Sequence, residues 1–208
     1  MKSIRLVYPE TLADPLGPLP PLAITPTHLE LNLGSLDGSV PSFDLLRALF
    51  TSASTTLVSL DLCFDTEDDV DVLNAIAVSF ALVAPRLRRL TLSGSPPAVD
   101  FVPLLSGCTR LESLCIETFT HSKGDWIPTL DAIGRCIPSS LRHLTVSGYP
   151  FRSVTRDVVQ ILSRPGFSGL LQLHYPSFRP QYLSEVDLLV HECERRAIRV
   201  AFRDDLLS

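Results

Sequence analysis

The chain has no surplus of positive charge. Its 18 Lys and Arg stand against 23 Asp and Glu, a formal net charge of −5. A general nucleic-acid binder carries a basic stripe, so no nucleic-acid partner is expected. The five cysteines (63, 108, 115, 136 and 193) contain no C-x-x-C pair and are odd in number. Reduced thiols in a cytosolic or nuclear protein fit this usage best. No N-x-S/T acceptor occurs, because Asn32 and Asn74 are both followed by the wrong residues. No basic segment leads into an apolar run at the start, so the mark of a secretory signal is missing. The longest apolar stretch, 70–84, is interrupted by Asp71 and Asn74 and is too short to span a bilayer, so no membrane is expected as a partner. A Gly-rich phosphate loop, paired catalytic carboxylates and a G-x-S-x-G elbow are also missing. The expectation is a protein without enzymatic activity, cofactor or metal.

What the chain does contain is a repeat. Leu87-Arg-Arg-Leu-Thr-Leu-Ser-Gly-Ser-Pro96 returns as Leu141-Arg-His-Leu-Thr-Val-Ser-Gly-Tyr-Pro150, with seven of ten positions identical at an offset of 54 residues, two periods of 27. The shared pattern is L-x-x-L-x-L. Clear copies start at Leu57, Leu87, Leu111, Leu141 and Leu170; weaker ones place Leu31 and Leu33 early and Ile198 and Val200 late. The middle apolar residues then fall at 31, 60, 90, 114, 144, 173 and 198. In pattern and period the chain resembles the leucine-rich-repeat family, whose units of 20–29 residues each supply one strand and one helix. The resemblance implies an α/β leucine-rich-repeat solenoid: a parallel concave sheet of about seven strands, with helices on the convex side.

The segments between the strands point the same way. Residues 68–84 place Val72, Leu73, Ile76, Ala77, Phe80 and Val83 at the spacing of one helix face, with Asp68 and Asp69 at its start and Pro85 as its stop. Shorter helices are expected over 42–50, 99–105, 127–136, 155–162 and 184–195. Ser42 and Thr155 suit N-caps, while Pro138 and Pro165 close two of them. Strands alternating with helices in this order imply parallel pairing, since parallel neighbours need a crossover segment. One unit alone cannot stand. Some six core side chains, worth roughly 1.5–3 kcal/mol each, do not offset about 1–2 kcal/mol of backbone entropy for each of its residues. Neighbouring units must therefore stack.

All 208 residues suit one domain. Residues 1–27 form its irregular part, with an extra strand over 4–8 followed by six prolines (9, 15, 18, 20, 21, 26) that suit an extended surface path. Terminal repeats usually carry a polar cap, and neither end shows one; the expectation is a longer parent protein or end units that pack unusually.

If the repeated leucines face inward, the residues between them line the concave sheet. The central row is then Asn32, Asp61, Thr91, Cys115, Thr145, His174 and Arg199. One flanking row runs from Glu30 and Ser59 through Arg89, Ser113, His143 and Gln172 to Ala197; the other carries Gly34, Cys63, Ser93, Glu117, Ser147, Pro176 and Ala201. Small polar side chains alternate with charges that change from acidic to basic along the sheet, which suits a protein partner held in a fixed orientation. The candidate partner-binding residues are Asp61, Arg89, Thr91, Glu117, His143, Thr145 and His174. A zinc site from Cys115, His143 and His174 is not expected, because Cys115 and His174 lie two strands and about 10 Å apart. A nucleophilic Cys115–His143 pair lacks an orienting group and a pocket. Trp126 is expected to pack the helix layer, and Arg86, Arg88, Arg89, Arg195 and Arg196 to be solvated.

Cys108-Thr-Arg-Leu-Glu-Ser-Leu-Cys-Ile116 is similar to the C-x-x-L-x-x-L-x-L signature of the cysteine-containing leucine-rich repeats, common in F-box-type substrate receptors of cullin ubiquitin ligases. Ser54, Ala84, Pro138 and Phe167 take the cysteine's place in the other copies. The resemblance implies a substrate-recognition module whose F-box, the helical segment that docks on the ligase adaptor, is not among these residues. Two alternatives stand beside it: a small-GTPase regulator of leucine-rich-repeat type, whose repeats carry a loop Asn missing here, and a purely structural scaffold.

Overall fold

In the computed structural model the described residues are 3–7, 25–32, 43–64, 76–94, 102–118, 126–147, 159–176 and 183–203. Eight strands make one all-parallel sheet in chain order: β1 (Ser3–Val7), β2 (His28–Asn32), β3 (Ser59–Phe64), β4 (Arg89–Gly94), β5 (Ser113–Thr118), β6 (His143–Ser147), β7 (Gln172–Pro176) and β8 (Arg199–Arg203). Between them lie helices α1 (Phe43–Ala53), α2 (Val102–Leu105), α3 (Trp126–Cys136) and α4 (Leu183–Arg195), with further helical residues at 76–80 and 159–161. No helix among the described residues is long and apolar enough to cross a membrane.

Period-two alternation decides which face is covered. Leu60, Leu90, Leu114, Leu144 and Leu173 lie opposite one another in register and are at most 1 % exposed. Leu62, Leu92, Ile116 and Val146 form a second column, equally buried. Leu46, Phe50, Phe80, Leu105, Ile133, Leu162 and Leu189, from the helical segments, join them in one core. Among the described residues the helical layer thus covers one face of the sheet and leaves the other open.

The strands also begin alike. Thr27 O accepts the amides of Val58 and Ser59, Val58 O those of Arg88 and Arg89, and Arg88 O those of Glu112 and Ser113. Glu112 O and Arg142 O continue the pattern, all at 2.8–3.2 Å. One carbonyl serving two successive donors fixes where each strand starts relative to the last, so a slip in one unit would break the pairing at its neighbour.

The register corrects the expected alignment at both ends. Leu29, not Leu31, lies opposite Leu60, and Val200, not Ile198, lies opposite Leu173. A two-residue slip keeps inward residues inward, so alternation alone cannot reveal it. At β2 the position matching Leu57 is Pro26, buried although it cannot donate; its carbonyl accepts the Thr56 hydroxyl at 2.8 Å. At the other end α4 closes through Ala197 in the left-handed conformation (φ 57°), and the Ile198 amide reaches back to Cys193 O at 2.8 Å. That cap lets Ile198 fill the core just ahead of the strand. The extra strand expected over 4–8 is β1 (Ser3–Val7), which pairs with β2 from Ser3–His28 to Val7–Asn32 and makes the eighth strand beside the seven of the leucine pattern.

Pro85 and Pro165 do not simply end helices. Each sits at the start of a short 3-10 turn, Ala84–Arg86 and Pro165–Phe167, where the missing amide is harmless. The helix expected over 68–84 is described from residue 76, ends at Phe80 and is followed by a turn; Asp68 and Asp69 lie outside the described residues, as do Ser42, Thr155 and most of the Pro-rich segment.

Gly94 ends β4 with φ 144°, and a Cβ there would collide with the Phe64 carbonyl across the ladder. Gly94→Ala should therefore lower stability by roughly 2 kcal/mol or more; an unchanged midpoint in chemical denaturation would show that the strand end yields.

Glu192 on α4 accepts both Arg195 and Arg196, and Arg196 also donates to Leu162 O and Ser163 Oγ at 2.7 Å, tying α4 to the preceding unit. Those hydrogen bonds lower the Glu192 carboxyl from its usual 4.5 to about 2. A carboxylate with a depressed folded value contributes stability above its unfolded value and loses it as pH falls. Unfolding midpoints should therefore drop between pH 4.5 and about 2, and Glu192→Gln should flatten that limb; an unaltered slope in the variant would exclude Glu192 as its source.

Candidate functional site

The open face is built from the residues that alternate with the buried leucines. Its central row is Glu30, Asp61, Thr91, Cys115, Thr145, His174 and Ala201. A second row holds His28, Ser59, Arg89, Ser113, His143, Gln172 and Arg199. A third holds Asn32, Cys63, Ser93, Glu117 and Ser147. All seven candidate residues lie on this face. Asp61, Thr91, Thr145 and His174 share the central row, Arg89 and His143 the second, and Glu117 the third.

Five expected placements change with the register. Asn32 joins Cys63 in the third row, Glu30 moves to the centre beside Asp61, and Arg199 joins Gln172 in the second row. Ala201, expected to flank, stands beside His174 in the centre, and Ala197 precedes β8. Pro176 lies opposite Arg203, while Gly34 is outside the described residues.

The slip had also hidden His28, which no leucine pattern marked. Its Nδ1 lies 2.9 Å from Ser59 Oγ, and its Nε2 lies 3.8 Å from Asp61 Oδ2. These three residues, with Arg89, Leu90, Thr91 and Ser113, line an open depression of about 300 Å³. The trio resembles a nucleophile, base and acid in composition, but the Ser59 amide is already spent on Thr27 O, and such chemistry needs free donors for an oxyanion. The signal that could have found His28 is its place just before the first strand leucine, the position of Ser59 and Arg89 in later units.

At the other end, Gln172 bridges two histidines. Its Nε2 donates to His174 Nε2 at 2.5 Å, and its Oε1 lies 3.3 Å from His143 Nδ1. An amide has one donating and one accepting end, so this arrangement puts a proton on His143 Nδ1 and a lone pair on His174 Nε2. In mid-face, Cys115 Sγ donates to Glu117 Oε1 at 3.6 Å. Among the described residues no group of three or more His, Cys, Asp or Glu is placed to hold a metal ion. Trp126 is the first residue of α3; its side chain lies outside the described part. Arg86, Arg88, Arg89 and Arg195 are exposed as expected, whereas Arg196 is half-buried against the preceding unit.

The cysteine of the C-x-x-L motif has a different task. Cys108 is fully buried, its thiol donates to Leu104 O at 3.6 Å, and burial pushes its pKa up to about 12. Cys193 is buried as well and stands at about 11. Cys136 is exposed, while Cys63 and Cys115 are half-buried on the open face. In the native protein at neutral pH, maleimide should label Cys136 first and the two open-face thiols next. Cys108 should react on the order of 1000-fold more slowly than an ordinary thiol; early labelling of Cys108, read by mass spectrometry, would contradict its placement. Compared with known proteins, the chain matches no family model, and no curated protein matches it.

Proposed function

We propose that the chain is a leucine-rich-repeat solenoid that recognises a protein partner on its open, concave sheet face. The order of the strands supports this reading. Each pairs with its successor, so side chains from seven strands, β2 to β8, form continuous rows on one uncovered surface. A face of this kind suits an extended surface contact better than a small molecule, which would call for an enclosed pocket. Its polar groups are presented by strands rather than loops, so their spacing is set by the ladder before any partner arrives. Binding then costs little ordering of the receptor.

The closer role, that of the substrate-binding part of an F-box-type receptor reaching a ubiquitin-ligase adaptor through segments beyond these residues, rests on the resemblance carried by Cys108, Leu111, Leu114 and Ile116. A regulator of a small GTPase would work through the same surface class, and a scaffold would leave the face empty.

A photo-crosslinking residue at Thr145 or Thr91 should capture a partner in cells of the source organism, while one at the exposed Val78 of the helical layer should not. Arg89→Glu with His143→Glu should abolish the Thr145 crosslink. Capture only from Val78, or capture unaffected by the double change, would overturn the assignment of the face.

A further inference from the structure

We propose that Arg89, Ser113 and His143 form an oxyanion site on the open face, taking a carboxylate or phosphate group presented by the partner; this rests on the recognition reading above. The three residues are direct neighbours along one row, on β4, β5 and β6. Adjacent strands lie about 4.8 Å apart, so Arg89 and His143 stand roughly 10 Å apart at the backbone with a short hydroxyl between them. Two long side chains flanking a serine in one row suit an anion contacted from both sides at about 2.8 Å, with Ser113 Oγ as a third donor.

Two observations single out this spot. The first is the local charge balance. Among the described residues each neighbouring carboxylate is engaged: Asp61 faces His28, Glu112 pairs with Arg88 at 3.2 Å, and Glu117 accepts the Cys115 thiol. Arg89 is exposed and its side chain forms no ion pair or hydrogen bond among those residues, and neither does the side chain of Arg199 further along the row. Among the described residues these guanidinium groups have no counter-charge, and a guanidinium fork is suited to planar or tetrahedral oxyanions.

The second is the bridge behind His143. Gln172 is oriented by donating to His174, so its carbonyl end holds the His143 Nδ1 proton. That leaves His143 Nε2 as the nitrogen turned away from the bridge, able to donate to an anion once protonated. His174, its Nε2 taken by Gln172, stands in the central row one strand further from Arg89. His143 is thus the binding residue, and Gln172 is a positioning residue that holds its Nδ1 side, so that Nε2 donates when the imidazole is protonated.

The test uses the full chain and two simple probes at constant ionic strength: inorganic sulfate for a phosphate ester and acetate for a carboxylate. Imidazole ¹H–¹⁵N correlation spectra follow His143, with His28 and the exposed His191 as internal references. Sulfate or acetate should move the His143 signals in a saturable way and leave the references in place; the probe with the stronger effect identifies the source chemistry. Arg89→Gln should weaken the response about tenfold, as loss of one charge-assisted contact predicts. Gln172→Leu should weaken it less while changing the His143 tautomer signature, a readout that loss of packing alone would not move. No saturable shift at His143, or a shift indifferent to Arg89→Gln, overturns the site. Partner crosslinking from Thr145 without anion binding defeats this proposal alone, whereas anion binding without any crosslink sustains the site and defeats the recognition reading.

Discussion

The whole arrangement depends on one constraint: every strand must present its leucines to the same interior in the same register as the strand before it. Parallel strands cannot be joined by a tight hairpin, so each connection must travel over the sheet and return. The return path supplies the helix that covers the leucines. Burial and backbone pairing are therefore coupled in this chain. The carbonyls of Thr27, Val58, Arg88, Glu112 and Arg142, each serving two amides of the next unit, are the points where that coupling is enforced. These contacts recur from one neighbour to the next along the sheet.

Much of this geometry was legible in the sequence because leucines at fixed spacing are a direct record of the buried columns. Leu60, Leu90, Leu114 and Leu144 needed no structure to be aligned. The ends were harder for a definite reason. In Leu29-Glu-Leu31-Asn-Leu33 the alternation has no beginning, and the leucine that starts each unit elsewhere is replaced by Pro26. At the last unit, Ile198 looks like a strand leucine but belongs to the cap of α4, where Ala197 takes a left-handed turn. A pattern of period two constrains which face a residue occupies and leaves its position along the strand open. The helix ends were obscured by a related ambiguity, since Pro85 reads as a stop signal whether it follows a helix or opens a 3-10 turn.

The same argument explains which part of the candidate site was readable. Asp61, Arg89, Thr91, Glu117, His143, Thr145 and His174 all come from strands with unambiguous leucines, and their placement on the open face follows from parity. His28 and Arg199 come from the two slipped strands, and the rows they joined could not be assigned from parity alone. Pairwise chemistry was a further blind spot. Nothing in the spacing of Gln172 and His174 says that the amide spans from one imidazole to His143 of the preceding strand, because that contact depends on side-chain rotation as well as on register.

These corrections change the character of the face more than its extent. With Glu30 beside Asp61, the early strands gather two carboxylates, one of them facing the His28 imidazole. With Arg199 in line with Gln172 and His143, the later strands place a second arginine in the row that holds Arg89. The polarity of the face is thus uneven, acidic in the early strands and basic in the row from Arg89 to Arg199. A surface charge already paired within the protein contributes little to association, since the partner must first break that pair or tolerate it. Among the described residues the Arg89 side chain beside an oriented His143 has no such competitor. On the proposed recognition reading, specificity is set mainly by the row from Arg89 to Arg199, with the small hydroxyls of Thr91, Ser113 and Thr145 determining how closely a partner's backbone can approach.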